Sequence, residues 1–232
     1  MKLIKKLIAK CHSYLWIYFA ILFSLLIING YIGYSKAVKE EPLVVVIDAG
    51  HGGNDPGKVS ADGVLEKDIN LQIAFYLKEE LENMGITVVM TRDTDICLAV
   101  EGATNKKNSD MKNRVELIDD VSPDCMISIH QNSFTDQSVS GAQVFYYSQS
   151  EDSKVLADNI QNKIVELVDS SNDRKIKTGD DYYILRKTSC PGVIVECGFL
   201  SCPAEAAKLS DEEYQRKIAV AIATAINQSY KN

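Results

Sequence analysis

Two histidines and two glutamates stand at predicted ends of strands or helices, and their side chains could together bind a metal ion. His51 lies in a glycine-rich loop that follows an apolar run, and Glu66 opens the helix predicted after that loop. His130 and Glu196 each directly follow another short apolar run. The chain contains three histidines, and the third, His12, lies in the N-terminal segment. His51 and His130 are therefore the only imidazoles that the rest of the chain can supply.

The chemistry that fits this set is that of a catalytic zinc site. Such sites use three protein ligands from His, Asp or Glu and keep a fourth position open. Bound zinc makes water more acidic and polarises a carbonyl, and a further carboxylate is needed to move protons. Taken singly, each residue has a simpler structural explanation, since an acid in the first turn of a helix is favoured by the helix dipole. Only convergence of all four would make the set functional.

The elements that must bring these residues together alternate between strand and helix patterns. Such alternation predicts an α/β domain with a largely parallel sheet, in which sites gather at the carboxyl ends of the strands. The apolar runs predict strands at 43–47, 86–90, 125–129, 142–147 and 193–195. Apolar stripes at four-residue intervals predict helices beginning near Ile69, Leu156 and Tyr214, with a short helix at 114–120. The polar stretches 101–110 and 170–181 are predicted to be loops.

The charge of the chain is divided between a basic first segment and an acidic remainder. Residues 1–36 hold five lysines and no acidic residue, so the formal total of −7 leaves −12 for the other 196 residues. An acidic domain argues against broad nucleic-acid binding, which needs a basic surface. A content of 46% hydrophobic residues argues against disorder. A length of 196 residues fits one buried core and is short for two domains.

The first segment predicts export from the cytoplasm. Four lysines precede an uncharged stretch over residues 11–35. A helix over residues 14–34 would span roughly 31 Å, about one hydrocarbon core, with its lysine-bearing start in the cytoplasm. Residues 35–37 (Ser-Lys-Ala) also fit a signal-peptidase site, so cleavage stays open, although the length of the apolar run favours a retained anchor. We therefore expect a membrane-spanning or signal segment at 1–36, a linker at 37–42 and one domain at 43–232.

The cysteines do not form the pattern of a disulfide framework. One of the six lies in the first segment, which leaves an odd number in the domain. Cys125 and Cys197 lie in apolar runs and are most simply buried hydrophobic residues. A bridge between Cys190 and Cys202 is conceivable from their positions alone. The sequence contains no C-x-x-C, which disfavours a cysteine zinc site.

Five runs, spread in consistent order from Leu43 to the C-terminus, resemble the zinc-dependent N-acetylmuramoyl-L-alanine amidases of the amidase-3 family. They are VVVIDAGHGGNDPG (44–57), EKDINL (66–71), TRDTD (91–95), SIHQNS (128–133) and VIVECGFLS (193–201). The sequence shows no wall-binding repeats and has an apolar N-terminal segment, and in these two features it is most similar to the CwlD-type spore-cortex members. Those members remove stem peptides so that muramic-δ-lactam can form in the spore cortex.

The resemblance implies a role for each of the four residues. His51, Glu66 and His130 would bind one zinc ion per chain, and Glu196 would be the general acid/base. The implied fold is a twisted, mostly parallel sheet of about six strands flanked by helices. The implied substrate is the amide between N-acetylmuramic acid and L-alanine in peptidoglycan. An activating envelope protein and a location outside the cytoplasm, such as the forespore intermembrane space, also follow from the resemblance.

Several other assignments are weaker. Asp48 and Asn132 would hold the loops or support the zinc ligands, while Arg92 and Arg186 would pair with stem-peptide carboxylates or form ordinary surface salt bridges. Cys202 replaces the asparagine that the family commonly has after GFLS, and a loop hydrogen bond is expected to be lost. An amidase-like wall-binding protein without turnover is the alternative function. A phosphate-binding loop at 50–57 is disfavoured because it matches neither glycine-rich phosphate motif.

Overall fold

The computed structural model describes residue 4 and residues 14–27 and 42–230. The chain divides into two compact units, Met1–Glu41 and Pro42–Asn232. The expected linker at 37–42 lies outside the described residues except for its last position.

In the first unit, residues 14–27 are helical (α1) and their side chains are exposed. Trp16 and Phe23 have relative exposures of 72% and 65%. Residues 28–34, over which the predicted helix would continue, lie outside the described residues. Among the helices that the structure describes, none has both the length and the apolar character needed to cross a membrane.

The second unit is built from alternating strands and helices, as the sequence pattern predicts. Its strands are β1 (Val44–Ala49), β2 (Thr87–Met90), β3 (Cys125–Asn132), β4 (Gln143–Tyr146), β5 (Lys177–Thr178) and β6 (Gly192–Phe199). Its helices are α2 (Glu66–Asn83), α3 (Lys106–Val121), α4 (Glu151–Leu167), α5 (Tyr183–Lys187), α6 (Pro203–Leu209) and α7 (Glu212–Tyr230).

Within residues 42–230 the six strands form one sheet in the order β2-β1-β3-β6-β4-β5. All neighbouring strands are parallel except β4 and β6, which are antiparallel. The apolar runs at β1, β3 and β6 form the centre of the sheet because strands covered on both faces need apolar side chains on both. One face packs against α2, α4 and α7, and the other packs against α3 and α5. The mostly parallel, six-stranded α/β fold is confirmed.

Several predicted boundaries were wrong. Helix α3 begins at Lys106 rather than at residue 114, because the Asn105 side chain accepts a hydrogen bond from the Asn108 backbone N–H and caps the helix. Strand β6 continues to Phe199, so Glu196 lies within the strand instead of after it. His130 likewise lies within β3. The predicted loop 170–181 contains the two-residue strand β5, which pairs with β4 at the edge of the sheet.

The cysteines of the second unit are all free thiols, so the conceivable Cys190–Cys202 bridge is absent from this unit. Cys125 and Cys197 are fully buried, as expected of small hydrophobic residues. Cys202 is the N-cap of α6 and provides no side-chain capping hydrogen bond.

A buried ion pair ties the carboxyl end of β1 to helix α3. Arg114 Nη1 lies 2.6 Å from Asp48 Oδ1, and both residues are almost fully buried. Asp48 also accepts hydrogen bonds from the hydroxyls of Thr91 and Ser128. Arg114 forms a second ion pair with Asp110, one turn earlier on α3. Burial alone would raise the pKa of Asp48, but Arg114 and the Ser128 hydroxyl lower it to about 2. The carboxylate is therefore charged at neutral pH.

We expect Arg114→Met to lower the free energy of unfolding by about 3–5 kcal/mol, because it leaves the buried Asp48 charge without a partner. Denaturant unfolding of the full-length variant measures the change. Lys217→Gln is the matched control, because it removes an exposed pair with Glu213 and should leave the midpoint unchanged. Equal midpoints for the two variants would show that the buried pair does not stabilise the fold.

Candidate metal centre

Three of the sequence-predicted site residues converge at one edge of the sheet. His51 lies in the loop after β1, Glu66 is the first residue of α2, and His130 lies in β3. Each offers one ligand atom, and these atoms all lie within 4.8 Å of one another. The structure therefore brings together two imidazoles and one carboxylate that are separated by up to 79 positions in the sequence.

The glycines of the loop are required by the close approach of the site side chains. A Cβ on Gly50 would lie 2.3 Å from the His130 ring. Gly57 has a φ of +70°, and a Cβ there would lie 2.5 Å from Glu66 Oε2. His51 itself has a φ of +61°, a left-handed conformation that is unfavourable for a side-chain-bearing residue. The dense glycines thus allow the backbone to fold tightly around the three side chains.

The Glu66 carboxylate is the common neighbour of both rings. Its Oε1 atom lies 3.2 Å from His51 Nε2 and 2.9 Å from His130 Nδ1. The other nitrogen of His51, Nδ1, lies 2.8 Å from Asp55 Oδ2. A carboxylate on the second nitrogen fixes the orientation and the tautomer of a ligand histidine. Asp55 was missed by the sequence analysis, although its position four residues after His51 in the same loop is a usable signal.

Besides the two histidines, neutral N–H donors form hydrogen bonds with the Glu66 carboxylate. The Lys58 backbone N–H donates to Oε2 at 2.7 Å, and the Gln131 backbone N–H donates to Oε1 at 3.1 Å. The Asn70 side chain donates to the Gly50 carbonyl and, at 3.4 Å, to Oε1. These contacts fix the carboxylate from the loop, from β3 and from α2 at once.

The charges of the site favour an ionised glutamate. Burial would raise the pKa of Glu66, but the hydrogen bonds and charges of His130 and His51 bring it well below its usual range. Burial lowers the pKa of His51, yet contacts with Glu66 and Asp55 outweigh burial and raise it. Carboxylate and imidazole donors in this arrangement are competent to bind a divalent cation in place of protons.

Glu196 is in a different environment from Glu66. It lies beside His130 in the register of β6 and β3, and the residue has a relative exposure of 7%. Its Oε2 atom is buried and has no hydrogen-bond partner among the described residues. Burial raises the pKa of Glu196 to about 7, with His130 opposing the rise and Glu66 adding to it. A carboxyl group that titrates near neutrality can both accept and donate a proton.

All four residues line one cavity of about 650 Å³, which we call the central cavity. Its wall is formed by the ends of β1, β3 and β6, the start of α3 and the segment around Tyr182. Tyr182 has an exposed fraction of 37% and stacks edge to face on Phe145. The volume is in the range of cavities that bind small molecules or the end of a polymer.

The other predicted residues have different positions. Asp48 and its partner Arg114 hold the loop, since Arg114 also donates to the carbonyls of Ala49 and His51. Asn132 lines the central cavity, but its side chain accepts a hydrogen bond from the Ser133 backbone N–H. Arg92 is buried and donates to backbone carbonyls of the loop, so the predicted pairing of Arg92 with a stem-peptide carboxylate was wrong.

Comparison with known proteins identifies what this arrangement resembles. The N-acetylmuramoyl-L-alanine amidase family matches over residues 45–228. The germination-specific N-acetylmuramoyl-L-alanine amidase of Bacillus subtilis is 37% identical over 182 residues, which is 77% of this chain and 76% of that protein.

Solved structures agree with this match. The CwlD amidase from Clostridioides difficile, solved in complex with the GerS lipoprotein, has a TM-score of 0.79 and 41% identity. The similarity covers 82% of this chain and 98% of that one. AmiC2 of Nostoc punctiforme has a TM-score of 0.73 and 33% identity, over 84% of this chain and all of that one.

Proposed function

Because the chain belongs to the N-acetylmuramoyl-L-alanine amidase family, its reaction is amide hydrolysis in peptidoglycan, and we propose that it performs this reaction with one bound zinc ion. The amide joins the lactyl group of N-acetylmuramic acid to L-alanine of the stem peptide. The observation that carries the proposal is the convergence of two imidazoles and one carboxylate within 4.8 Å, beside a buried carboxyl group whose pKa is near 7.

We assign His51, Glu66 and His130 as the zinc ligands. The donor set fits the metal, because two neutral imidazoles and one carboxylate leave a fourth position for substrate or water in catalytic zinc sites. Asp55 supports the assignment, since it orients His51 from the side away from Glu66. A bound zinc ion supplies Lewis acidity, which polarises a carbonyl and makes water more acidic.

We assign Glu196 as the general acid/base. Its buried Oε2 atom has no partner within the described residues, and the residue lines the same cavity as the three ligands. As a carboxylate it accepts the proton of the attacking water, and as the acid it gives that proton to the leaving alanine amine. The burial that raises its pKa makes both steps accessible near neutral pH.

The biological role that we propose is spore-cortex maturation, with formation of muramic-δ-lactam after removal of stem peptides. The similarity to a germination-specific amidase and to the CwlD amidase supports this role. Spores that lack this chain should then lack muramic-δ-lactam in their peptidoglycan. A normal lactam content in those spores would exclude the role while leaving the amidase reaction intact.

We further propose that the domain acts outside the cytoplasm and is held at the membrane by its N-terminal segment, as an anchor or as a signal peptide before cleavage. The exposed apolar side chains of residues 14–27 support this. An envelope protein is proposed to activate the domain, because CwlD was solved in complex with the lipoprotein GerS. Recovery of the chain in the cytoplasmic fraction would contradict the proposed location. Full activity of the isolated chain would contradict the proposed activating protein.

We expect the full-length chain supplied with zinc to release stem peptides from purified peptidoglycan. Mass spectrometry of the products should detect free stem peptides with alanine amino termini, and elemental analysis should give one zinc per chain. His130→Ala should lower zinc affinity and turnover together because it removes one of three ligands. Binding of peptidoglycan without new amino termini would instead favour a wall-binding protein without turnover.

We expect Glu196→Gln to reduce kcat by about 10²–10⁴-fold while zinc binding is retained. In the wild type, activity should fall as the pH drops through the pKa of Glu196, because the protonated group cannot accept a proton. The acidic limb of the pH–activity profile should lie at or below pH 7, since a bound cation lowers the pKa of Glu196 from about 7. Glu116→Gln, at an exposed carboxylate on α3, is the control and should keep the wild-type pH profile. A Glu196→Gln variant that turns over at the wild-type rate would refute the assignment.

A further inference from the structure

A second cavity of about 460 Å³ lies beside the central cavity. We call it the side cavity. His51, Asp55, Lys107 and Asp110 line both cavities, so the two share a wall next to a proposed zinc ligand. Residues 97–102, between β2 and α3, form most of the remaining lining of the side cavity. Together, the two cavities offer space for a substrate that extends beyond the cleaved amide.

The acidic groups on the shared wall are already paired. Asp110 is in an ion pair with Arg114, and Asp55 contacts His51. The ammonium groups of Lys106 and Lys107 differ, because neither forms an ion pair or a hydrogen bond with another described residue. Lys106 lines the side cavity, and Lys107 lines both cavities. Of the charges that line the side cavity, these cations and the exposed Glu101 have no ion-pair partner among the described residues, although the charge of Lys107 helps to lower the pKa of Asp55 on the shared wall.

None of three arginines, Arg92, Arg114 and Arg186, supplies an alternative cation. Arg92 is buried and saturated by backbone carbonyls. Arg114 is paired with two aspartates. Arg186 is exposed and lines neither cavity. Lys58 lines only the central cavity, on the side of Glu66.

We propose that the side cavity binds the stem peptide of the substrate, and that Lys107, assisted by Lys106, pairs with a free stem-peptide carboxylate. The inference rests on the amidase function proposed above. It assigns the peptide rather than the glycan to this cavity, because the stem peptide carries free carboxylates whereas the N-acetylated sugars of the glycan are neutral. An ammonium group recognises a carboxylate by charge without a fixed geometry.

The location of the lysines also suits recognition next to the reacting bond. Lys107 is in the first turn of α3, where no acidic side chain neutralises it. The first backbone N–H groups of a helix favour an anion at this position. Because Lys107 lines both cavities, it shares the central cavity with Glu196 and is also accessible from the side cavity.

The test measures equilibrium binding to the full-length Glu196→Gln variant with zinc supplied, so that no turnover occurs. The probes are disaccharide–tripeptide fragments in four forms, with the carboxylate of the second or of the third residue either free or amidated. We expect Lys107→Gln to raise the Kd of the free-carboxylate fragment by about two- to fivefold and to leave that of the matching amidated fragment unchanged. The residue whose amidation removes the effect is the one that Lys107 binds.

Lys112→Gln is the matched control, because Lys112 is exposed on the same helix and lines neither cavity. It should change no Kd. The preference for the free carboxylate should also shrink as salt is raised from about 0.01 M to about 1 M. The proposal would be overturned if Lys107→Gln left the Kd of each of the four fragments equal to that of the parent variant. It would also be overturned if Lys58→Gln, and not Lys107→Gln, raised the Kd of the free-carboxylate fragments.

The two proposals fail in different ways. If zinc-supplied wild type leaves every fragment intact while the Lys107 effect on binding persists, turnover by the isolated chain is excluded and the carboxylate site stands. If the fragments are cleaved but Lys107→Gln changes no Kd, the amidase function stands and the carboxylate site is excluded.

Discussion

Two buried guanidinium groups, those of Arg92 and Arg114, hold the loop of the candidate metal centre, and Arg114 does so through an ion pair. Arg114 binds the Asp48 carboxylate at the end of β1 and donates to the carbonyls of Ala49 and His51. These carbonyls belong to the backbone that presents His51, in a loop where glycine-rich sequence provides little stiffness of its own. The ion pair therefore performs the task that side-chain packing performs elsewhere in the core. Burying two charges is expensive, and the hydroxyls of Thr91 and Ser128 reduce the cost by completing the hydrogen bonds of Asp48.

At the same edge of the sheet, the pKa values of two glutamates are shifted in opposite directions. Glu66 is surrounded by imidazoles and backbone N–H groups, so its charged form is favoured. Glu196 is comparably buried but leaves one oxygen without a partner, so its neutral form is favoured until about pH 7. Separation of the two pKa values suits them to separate tasks, a permanent anion for a cation and a carrier for a proton. Exchange of the two environments would leave neither residue suited to its proposed role.

The sequence was sufficient to predict the fold class and the convergence of the four candidate residues at one edge of the sheet, because both follow from local patterns. Apolar runs in β1, β3 and β6 identify central strands, and parallel strands bring residues at their carboxyl ends together. Where those strands end could not be predicted, since Glu196 and His130 continue strands whose polar side chains face a cavity rather than solvent. Arg114 was missed as a buried residue because burial of an arginine depends on Asp48, which lies 66 positions away.

Helix α3 was the least predictable of the longer elements, and it connects the metal loop with the proposed peptide site. Its first turn lacks the apolar stripe that signals a helix, and only the Asn105 cap explains a start at Lys106. From Lys107 to Arg114 the helix advances roughly 10 Å, so one rigid element reaches from the side cavity to the buried ion pair. Asp110 lies between them, lines both cavities and pairs with Arg114. A peptide carboxylate bound at Lys107, as proposed, would therefore contact the same helix that holds the backbone of His51 through Arg114.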